Sequence, residues 1–171
     1  MVKKINKKVI QKAKKIKLLL TDCDGVLTDA GVYYGLNGEE LKKFSIRDGM
    51  GVERLFKLVK VETGIISGET SLSLQKRADK LKITELHLGI KSKVDLLEDI
   101  KSRKKIKSSE IAYIGDDVND LDIIKKIGLS ACPNDAMDMV KQKVQYVCSE
   151  KGGQGAFREF AELIISAKKN K

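Results

Sequence analysis

Residues suited to chemistry follow a series of short apolar runs in the sequence. The runs with the length and composition of buried strands are Ile16–Thr21, Val61–Ile66, Thr84–Leu88, Ile111–Ile114 and Gly128–Cys132, of which Thr84–Leu88 is the weakest. Four of them are followed by side chains able to act as nucleophiles, acids, bases or phosphate ligands: Asp22 and Asp24, then Ser67, Lys93 and Asp116. Because ligands bind at the carboxyl ends of parallel strands, these side chains are predicted to meet at one edge of a sheet.

These residue types suit phosphoryl transfer. A carboxylate nucleophile, here Asp22, divides the hydrolysis of a phosphate ester into two steps through an aspartyl-phosphate. Attack of one anion on another needs a divalent cation between them, and Mg²⁺ prefers the oxygen ligands that Asp22 and Asp116 supply. Asp24 lies two residues further and reaches the same side if the chain stays extended. There it protonates the leaving alkoxide and then deprotonates the hydrolytic water.

Phosphate oxygens need hydrogen-bond donors and a positive charge, for which Ser67, the Gly68 backbone and Lys93 are the candidates. Each motif taken singly also has an ordinary structural explanation. Asp-x-Asp-Gly is typical of a turn, Gly115-Asp116-Asp117 of a loop with a helix cap, and Lys93 of an exposed helix lysine. Their coincidence at successive strand ends is what favours a phosphoryl-transfer site.

The elements that must position these residues alternate along the chain. Helical patterns lie at 49–59, 70–82, 92–105 and 118–127. Alternating strands and helices predict an α/β fold in which helices cover both faces of a parallel sheet, giving three layers. A basic amphipathic helix over 1–15 precedes the first strand, since Ile5, Val9 and Ala13 recur at helical spacing.

Residues 31–46 break this alternation. β-prone residues at 32–34 and 41–46 flank Asn37-Gly38, which is a hairpin signal. A small β-hairpin is therefore predicted to project just after the first strand. The sequence shows neither internal repeats nor a low-complexity linker, so residues 1–171 are predicted to form one domain with this hairpin inserted.

Composition and charge bound the function. The 171 residues carry a net charge of +10, but eight of the 34 basic residues lie in 1–17 and three in 168–171, without any acid. The remaining body has 23 basic and 24 acidic side chains, which favours two solvated mobile ends over a nucleic-acid site.

No run has the ~20 apolar residues of a membrane span, and no secretory signal is recognised, which predicts a cytoplasmic protein. The three cysteines are interpreted as buried apolar residues, not metal ligands.

Two sets of motifs give the sequence a family resemblance. Residues 22–29, Ser67, Lys93 and 115–120 look like the four ordered motifs of the haloacid dehalogenase superfamily. More narrowly, the chain resembles the 3-deoxy-D-manno-octulosonate 8-phosphate phosphatase family, a match that includes 44–51 and 152–159 and covers about 16–165. The resemblance implies a Rossmann-like core without a large cap domain. It also implies a homotetramer formed through the projecting hairpins.

The resemblance also assigns roles to residues. It makes Asp22 the nucleophile, Asp24 the acid/base, and Asp22, Asp116 and the Asp24 carbonyl the Mg²⁺ ligands. It places residues 150–171 in a glycine-rich and basic C-terminal tail that reaches a neighbouring subunit's active site, although the sequence alone favours a flexible end at Gly152-Gly153.

The substrate implied is a small acidic sugar phosphate. Octulosonate phosphatases usually carry Arg where this chain has Glu69. Because it carries Glu69 together with Arg77 and Lys80, this chain looks like the branch that acts on nine-carbon acids such as 2-keto-3-deoxynononate 9-phosphate. An ordinary surface set of charges is the alternative for these three. Lipopolysaccharide or sialic acid biosynthesis would use such an enzyme. The candidate substrate-binding residues are Thr28, Arg47, Asp48, Gly68, Glu69, Arg77, Lys80, Asp117, Asn119 and Arg158.

Arg47 is the first candidate among them because its planar guanidinium group can bind a carboxylate or a phosphate through two hydrogen bonds. The alternative is that Arg47 pairs with an acidic residue beside the hairpin.

The alternative function classes are a receiver domain that holds a phospho-aspartate without turnover and a catalytically silent scaffold. A phosphoryl transferase of the mutase type is disfavoured, since no cap excludes water.

Overall fold

The computed structural model describes residues 5–170, so the first four residues of the predicted N-terminal helix lie outside the described range. Its helices are α1 (Lys7–Ala13), α2 (Ile46–Val59), α3 (Leu72–Leu81), α4 (Lys93–Lys104), α5 (Leu121–Ile124), α6 (Asp138–Lys141) and α7 (Ala156–Lys169). Its strands are β1 (Leu18–Thr21), β2 (Val32–Gly35), β3 (Gly38–Lys42), β4 (Glu62–Ile66), β5 (Glu85–His87), β6 (Ile111–Ile114), β7 (Leu129–Cys132) and β8 (Tyr146–Val147). No helix within 5–170 has the length and apolarity needed to cross a membrane.

Six strands form one parallel sheet in the order β5-β4-β1-β6-β7-β8, and β2 and β3 form a separate antiparallel pair. Side chains alternate along β1, so Leu19 packs on one face while Leu18 and Leu20 pack on the other. The first face is covered by α1, α2, α3 and α7, and the second by α4, α5 and α6. The predicted three-layer α/β fold without a large cap domain is confirmed.

The register of the central strands aligns the predicted chemical groups. Thr21 at the end of β1 pairs with Ile65 of β4 on one side and Ile114 of β6 on the other. The three strands therefore end at nearly the same level. The loops that begin at Asp22, Ser67 and Gly115 consequently leave the sheet at a common edge.

Serine caps set the beginnings of three helices more sharply than apolar periodicity does. Ser45, Ser71 and Ser92 precede α2, α3 and α4, and each hydroxyl accepts a hydrogen bond from the backbone N–H three residues on. Helix α2 consequently starts at Ile46, not at the predicted residue 49. The pattern predicted as one helix over 118–127 is a 3₁₀ turn at Val118–Asp120 followed by the short α5.

The C-terminal segment differs most from expectation. The predicted tail over 150–171 instead contains α7, whose Phe157, Phe160 and Ile164 are fully buried against α2 and α1. These residues recur three or four apart, a helical signal that the lysines at the end of the chain obscured. Lys168 Nζ donates to the Lys14 carbonyl at 3.0 Å. The described parts of the two basic ends are thus packed beside each other, which corrects the expectation of separate mobile ends.

The hairpin prediction needs a small correction at its turn. Gly35 pairs with Gly38, so the two-residue turn is Leu36-Asn37, and Gly38 opens β3 with φ +101°. Leu36 is fully exposed at the tip, while Lys42 at the other end of β3 is buried. The hairpin therefore carries its apolar surface outward and one cation inward.

Candidate active site

Asp22 is held where β1 ends. Its backbone N–H donates to the Ile114 carbonyl at 3.0 Å, which continues the sheet pairing one residue past the strand. One carboxylate oxygen accepts the Cys23 N–H at 2.7 Å. The chain then turns at Gly25, whose φ is +83°. A Cβ on Gly25 would overlap the Asp116 carboxylate, so glycine satisfies both the turn and the close approach of these two loops.

Lys93, the first residue of α4, faces Asp22 across the sheet edge. Its Nζ lies 3.0 Å from Asp22 Oδ2 and 2.6 Å from Asp120 Oδ1, and it donates to the Tyr113 hydroxyl at 3.1 Å. The Lys93 side chain is 5% exposed, so the alternative of an exposed helix lysine is wrong. All three ammonium donors of Lys93 have acceptors here.

Asp120 lies at the centre of this cluster, and it was not among the site residues predicted from the sequence. It is completely buried, and its Oδ1 accepts from Lys93 and, at 2.5 Å, from Tyr113. Its Oδ2 accepts the Asp116 N–H at 2.9 Å and thereby orients the loop after β6. Asp120 is the last residue of the motif over 115–120, and this position was the sequence signal that could have identified it as a site residue. Tyr113 lies inside an apolar strand, where the sequence gives no sign of a role in the site.

Lys93 compensates only part of the repulsion among the carboxylates at this site. Burial, with the neighbouring Asp120 charge, raises the pKa of Asp22 to about 6, although Lys93 opposes the shift. Burial and the charges of Asp22 and Asp120 raise the pKa of Asp116 to about 8. Asp116 Oδ1 is buried without a hydrogen-bond partner among the described residues. Carboxylate oxygens of Asp22, Asp116 and Asp120 lie within 4.8 Å of one another. These residues fit a hard divalent cation, which would satisfy the orphan oxygen and relieve the repulsion.

Ser67 and its neighbours form the adjacent loop. Ser67 is buried after β4, its N–H donates to the His87 carbonyl, and its hydroxyl accepts the Glu69 N–H at 3.1 Å. Gly68 and Glu69 are exposed beside it. The loop thus lies at the same sheet edge as Asp22.

Asp24 is oriented by the hairpin. Both of its carboxylate oxygens lie 2.8 Å from Lys42 Nζ at the end of β3. The Thr28 hydroxyl, also a predicted site residue, donates to Asp24 Oδ1 at 3.5 Å. Lys42 was not singled out from the sequence, because nothing local links residues 24 and 42.

Several predicted substrate residues occupy a second cluster, between α2, α3 and α7. Asp48 is buried and accepts the Arg158 N–H at 2.9 Å, while Arg77 donates to the Ser45 carbonyl at 2.8 Å. The Arg158 side chain pairs with Glu162 at 2.8 Å. These three residues therefore have structural partners. The predicted substrate residues exposed to solvent are Arg47, Gly68, Glu69, Lys80, Asp117 and Asn119.

The glycine-rich segment packs against the loop over 22–29 of its own chain. Gly153 N–H donates to the Val26 carbonyl at 2.9 Å, and Gly152 N–H to Asp135 Oδ1 at 2.9 Å. A Cβ on Gly152 would overlap the Gly25 carbonyl. The flexible-end interpretation is therefore wrong, because two backbones approach too closely for any side chain to fit between them.

This constellation of strand-end acids and a buried lysine on an open parallel sheet defines a class of phosphoryl-transfer hydrolase. The model of the haloacid dehalogenase-like hydrolases matches residues 71–159. Over 159 residues the chain is 39% identical to the 3-deoxy-D-manno-octulosonate 8-phosphate phosphatase KdsC of Yersinia pestis, covering 93% of this chain and 84% of the relative. The chain belongs to the haloacid dehalogenase-like hydrolases and, within them, to the 3-deoxy-D-manno-octulosonate 8-phosphate phosphatase family. It is a sugar-phosphate phosphatase.

Solved structures agree with this assignment. The phosphatase of Moraxella catarrhalis, in complex with magnesium ion, phosphate ion and KDO, is 34% identical, with a TM-score of 0.91 over 95% of this chain and 93% of that one. The cobalt-bound phosphatase of Haemophilus influenzae is 38% identical, with a TM-score of 0.90 over 93% of this chain and 92% of that one. Family membership favours hydrolysis over the receiver-domain and scaffold alternatives.

Proposed function

We propose that the protein hydrolyses the phosphate ester of a 2-keto-3-deoxy sugar acid, with Mg²⁺, through an aspartyl-phosphate on Asp22. The observation that carries this proposal is the buried cluster in which Lys93 holds Asp22 beside the unsatisfied oxygen of Asp116. The magnesium in the Moraxella catarrhalis relative supports the choice of cation. Asp22, Asp116 and the Asp24 carbonyl would hold the ion. When bound, Mg²⁺ neutralises charge between the phosphate and the attacking carboxylate.

The residues then divide the reaction between them. Lys93 restricts the Asp22 carboxylate so that one oxygen attacks phosphorus, and the ester oxygen leaves on the opposite side. Asp24 gives a proton to that oxygen, then takes one from the water that hydrolyses the aspartyl-phosphate. Ser67 and the Gly68 N–H donate to the phosphate oxygens as charge develops on them.

The substrate is an eight-carbon or a nine-carbon acid. The Yersinia pestis relative is named as a 3-deoxy-D-manno-octulosonate 8-phosphate phosphatase, and the Moraxella catarrhalis structure contains KDO. Both support the eight-carbon substrate, 3-deoxy-D-manno-octulosonate 8-phosphate. Glu69, exposed beside Ser67, supports the nine-carbon alternative, because octulosonate phosphatases usually carry Arg at this position and in this respect the chain resembles the nine-carbon branch. Glu69, Arg77 and Lys80 are proposed to set this preference.

Side-by-side phosphate release with Mg²⁺ tests both levels of the proposal. We expect turnover of at least one of octulosonate 8-phosphate and nononate 9-phosphate, and a shift of their kcat/KM ratio toward the eight-carbon acid by about tenfold or more in Glu69→Arg. Glu98→Arg, on the exposed side of α4, is the matched charge control. An unchanged ratio in Glu69→Arg would remove the selectivity role, and no release from either ester would remove the substrate assignment.

The hairpins are further proposed to join four copies of the chain. Tyr33, Tyr34, Leu36 and Leu41 are all more than half exposed on β2 and β3. An apolar face of this kind on a two-stranded sheet is unstable in water unless another surface covers it. A second copy of the hairpin has matching chemistry.

Light scattering coupled to gel filtration measures this association. We expect a tetramer for the wild type and a smaller species for Leu36→Glu, because a charge at the hairpin tip cannot be buried. Phe56→Glu, on an exposed face of α2, should leave the mass unchanged. A monomeric wild type, or equal masses for Leu36→Glu and the wild type, contradicts the proposal.

A further inference from the structure

Lys42 has a burial and a set of contacts that the hairpin alone does not explain. We propose that Lys42 is a positioning residue that orients Asp24 for proton transfer, an inference that rests on the proposed function of Asp24. The Lys42 side chain is 1% exposed although it belongs to a hairpin whose other face is open. Its Nζ contacts both Asp24 oxygens at 2.8 Å and Glu39 Oε2 at 3.3 Å.

Burial of this ammonium requires strong partners. Removing a lysine charge from water is unfavourable unless carboxylates and hydrogen bonds replace the lost hydration. Burial lowers the pKa of Lys42, but the hydrogen bond and charge of Asp24 outweigh it, so the pKa lies above its usual value. Asp24 and Lys42 therefore restrain each other.

A second contact anchors this pair to the body of the protein. Glu39, on the same strand as Lys42, accepts from the Ser71 hydroxyl at 2.5 Å. Ser71 is the N-cap of α3, and its hydroxyl accepts the Leu74 N–H at 3.2 Å. The cation that faces Asp24 is thus held through the hairpin by a rigid helix end.

Other restraints on the Asp24 side chain are weak. The Thr28 hydroxyl is 3.5 Å from Asp24 Oδ1, at the limit of a hydrogen bond. Asp24 is 28% exposed and lies on a loop, so without Lys42 its side chain would sample several rotamers. Acid/base catalysis requires the carboxyl group within hydrogen-bond reach of the reacting oxygen, and Lys42 confines it to one side of the loop.

Two esters with different leaving groups distinguish a positioning role of Lys42 from a purely structural one. A sugar alkoxide needs a proton to leave, whereas p-nitrophenolate leaves without one. The hydrolysis of the aspartyl-phosphate needs a base with either ester. In Lys42→Met we expect kcat for the sugar phosphate to fall about 10- to 100-fold with KM within about threefold. With p-nitrophenyl phosphate, we expect a burst of one p-nitrophenolate per site and then slow turnover.

Lys43→Met is the matched control, since Lys43 is the next residue along the chain, is exposed, and pairs with Asp29. It should show wild-type kinetics and no added burst. Thermal unfolding reports the folded state of each variant, and Lys42→Gln replaces Lys42→Met if the latter does not fold. Wild-type kcat in the folded Lys42 variant, or an equal loss on both esters without a burst, overturns the inference.

Two further observations separate this inference from the proposed function. If the wild type hydrolyses neither ester, the proposed function itself fails. If the wild type is active and Asp24→Asn shows the burst while the Lys42 variant does not, only the role of Lys42 fails.

Discussion

Asp22→Asn should lower Mg²⁺-dependent phosphate release from the sugar phosphate by about 10⁴-fold or more, the scale on which loss of a nucleophile acts. An amide oxygen is a poor nucleophile and forms no stable acyl-phosphate. The substitution keeps the size of the side chain but only one acceptor oxygen, so either the Cys23 N–H or Lys93 loses its partner on this side chain. Phosphate release in a stopped assay measures the loss, and residual turnover above about 1% of wild type would assign the nucleophile elsewhere.

The same variant has an opposite expected effect on stability without Mg²⁺. The pKa of Asp22 is raised to about 6 in the folded chain, so the ionised carboxylate destabilises the fold above pH 6. This penalty fades as the pH falls through 6 toward 4, where the folded protein binds the proton. Relative to its effect at pH 4, Asp22→Asn should therefore stabilise the protein at pH 8 by about 2 kcal/mol. Urea unfolding at both pH values measures this difference, and equal effects at the two would contradict the electrostatic account.

Asp120→Asn is expected to damage both activity and stability. The carboxylate accepts from Lys93, Tyr113 and the Asp116 N–H, and an amide replaces one acceptor by a donor. Breaking a buried ion pair typically costs about 3 kcal/mol or more. Since Asp120 also fixes Lys93 and the Asp116 loop, kcat should fall about 100-fold or more even in the molecules that remain folded.

Urea unfolding and turnover at saturating Mg²⁺ measure the two effects separately. Asp122→Asn is the matched control, because Asp122 is exposed two residues away and pairs only with Lys125 among the described ion pairs. It should change stability by less than about 0.5 kcal/mol. Turnover of Asp120→Asn within threefold of wild type would show that Asp120 has no part in the site.

Much of the site was predictable because its information is local. Asp22, Ser67 and Asp116 each follow an apolar run, and parallel pairing of such runs necessarily brings their carboxyl ends to one edge. Lys93 was recognisable by its place at the start of a helix that returns across the sheet. The order of apolar runs and helical patterns was likewise enough to predict the three layers.

Interactions between distant segments were not predictable in the same way. The pairing of Asp24 with Lys42 depends on how the hairpin folds back, and the packing of Gly152 on Gly25 depends on where α7 docks. Tyr113 became part of the site only because the pleat of β6 points it at Lys93 and Asp120.

The sequence by itself therefore determined the class of fold and the places of the acids at the strand ends, including the proposed nucleophile Asp22, since apolar runs and helical patterns act over a few residues. The tertiary structure alone decided which charges compensate one another. It buried Asp120 and Lys93 together, turned Asp24 to Lys42 and left one Asp116 oxygen unsatisfied. The physical reason is that charge compensation depends on distances across the fold and on the exclusion of water, and neither is encoded in local spacing.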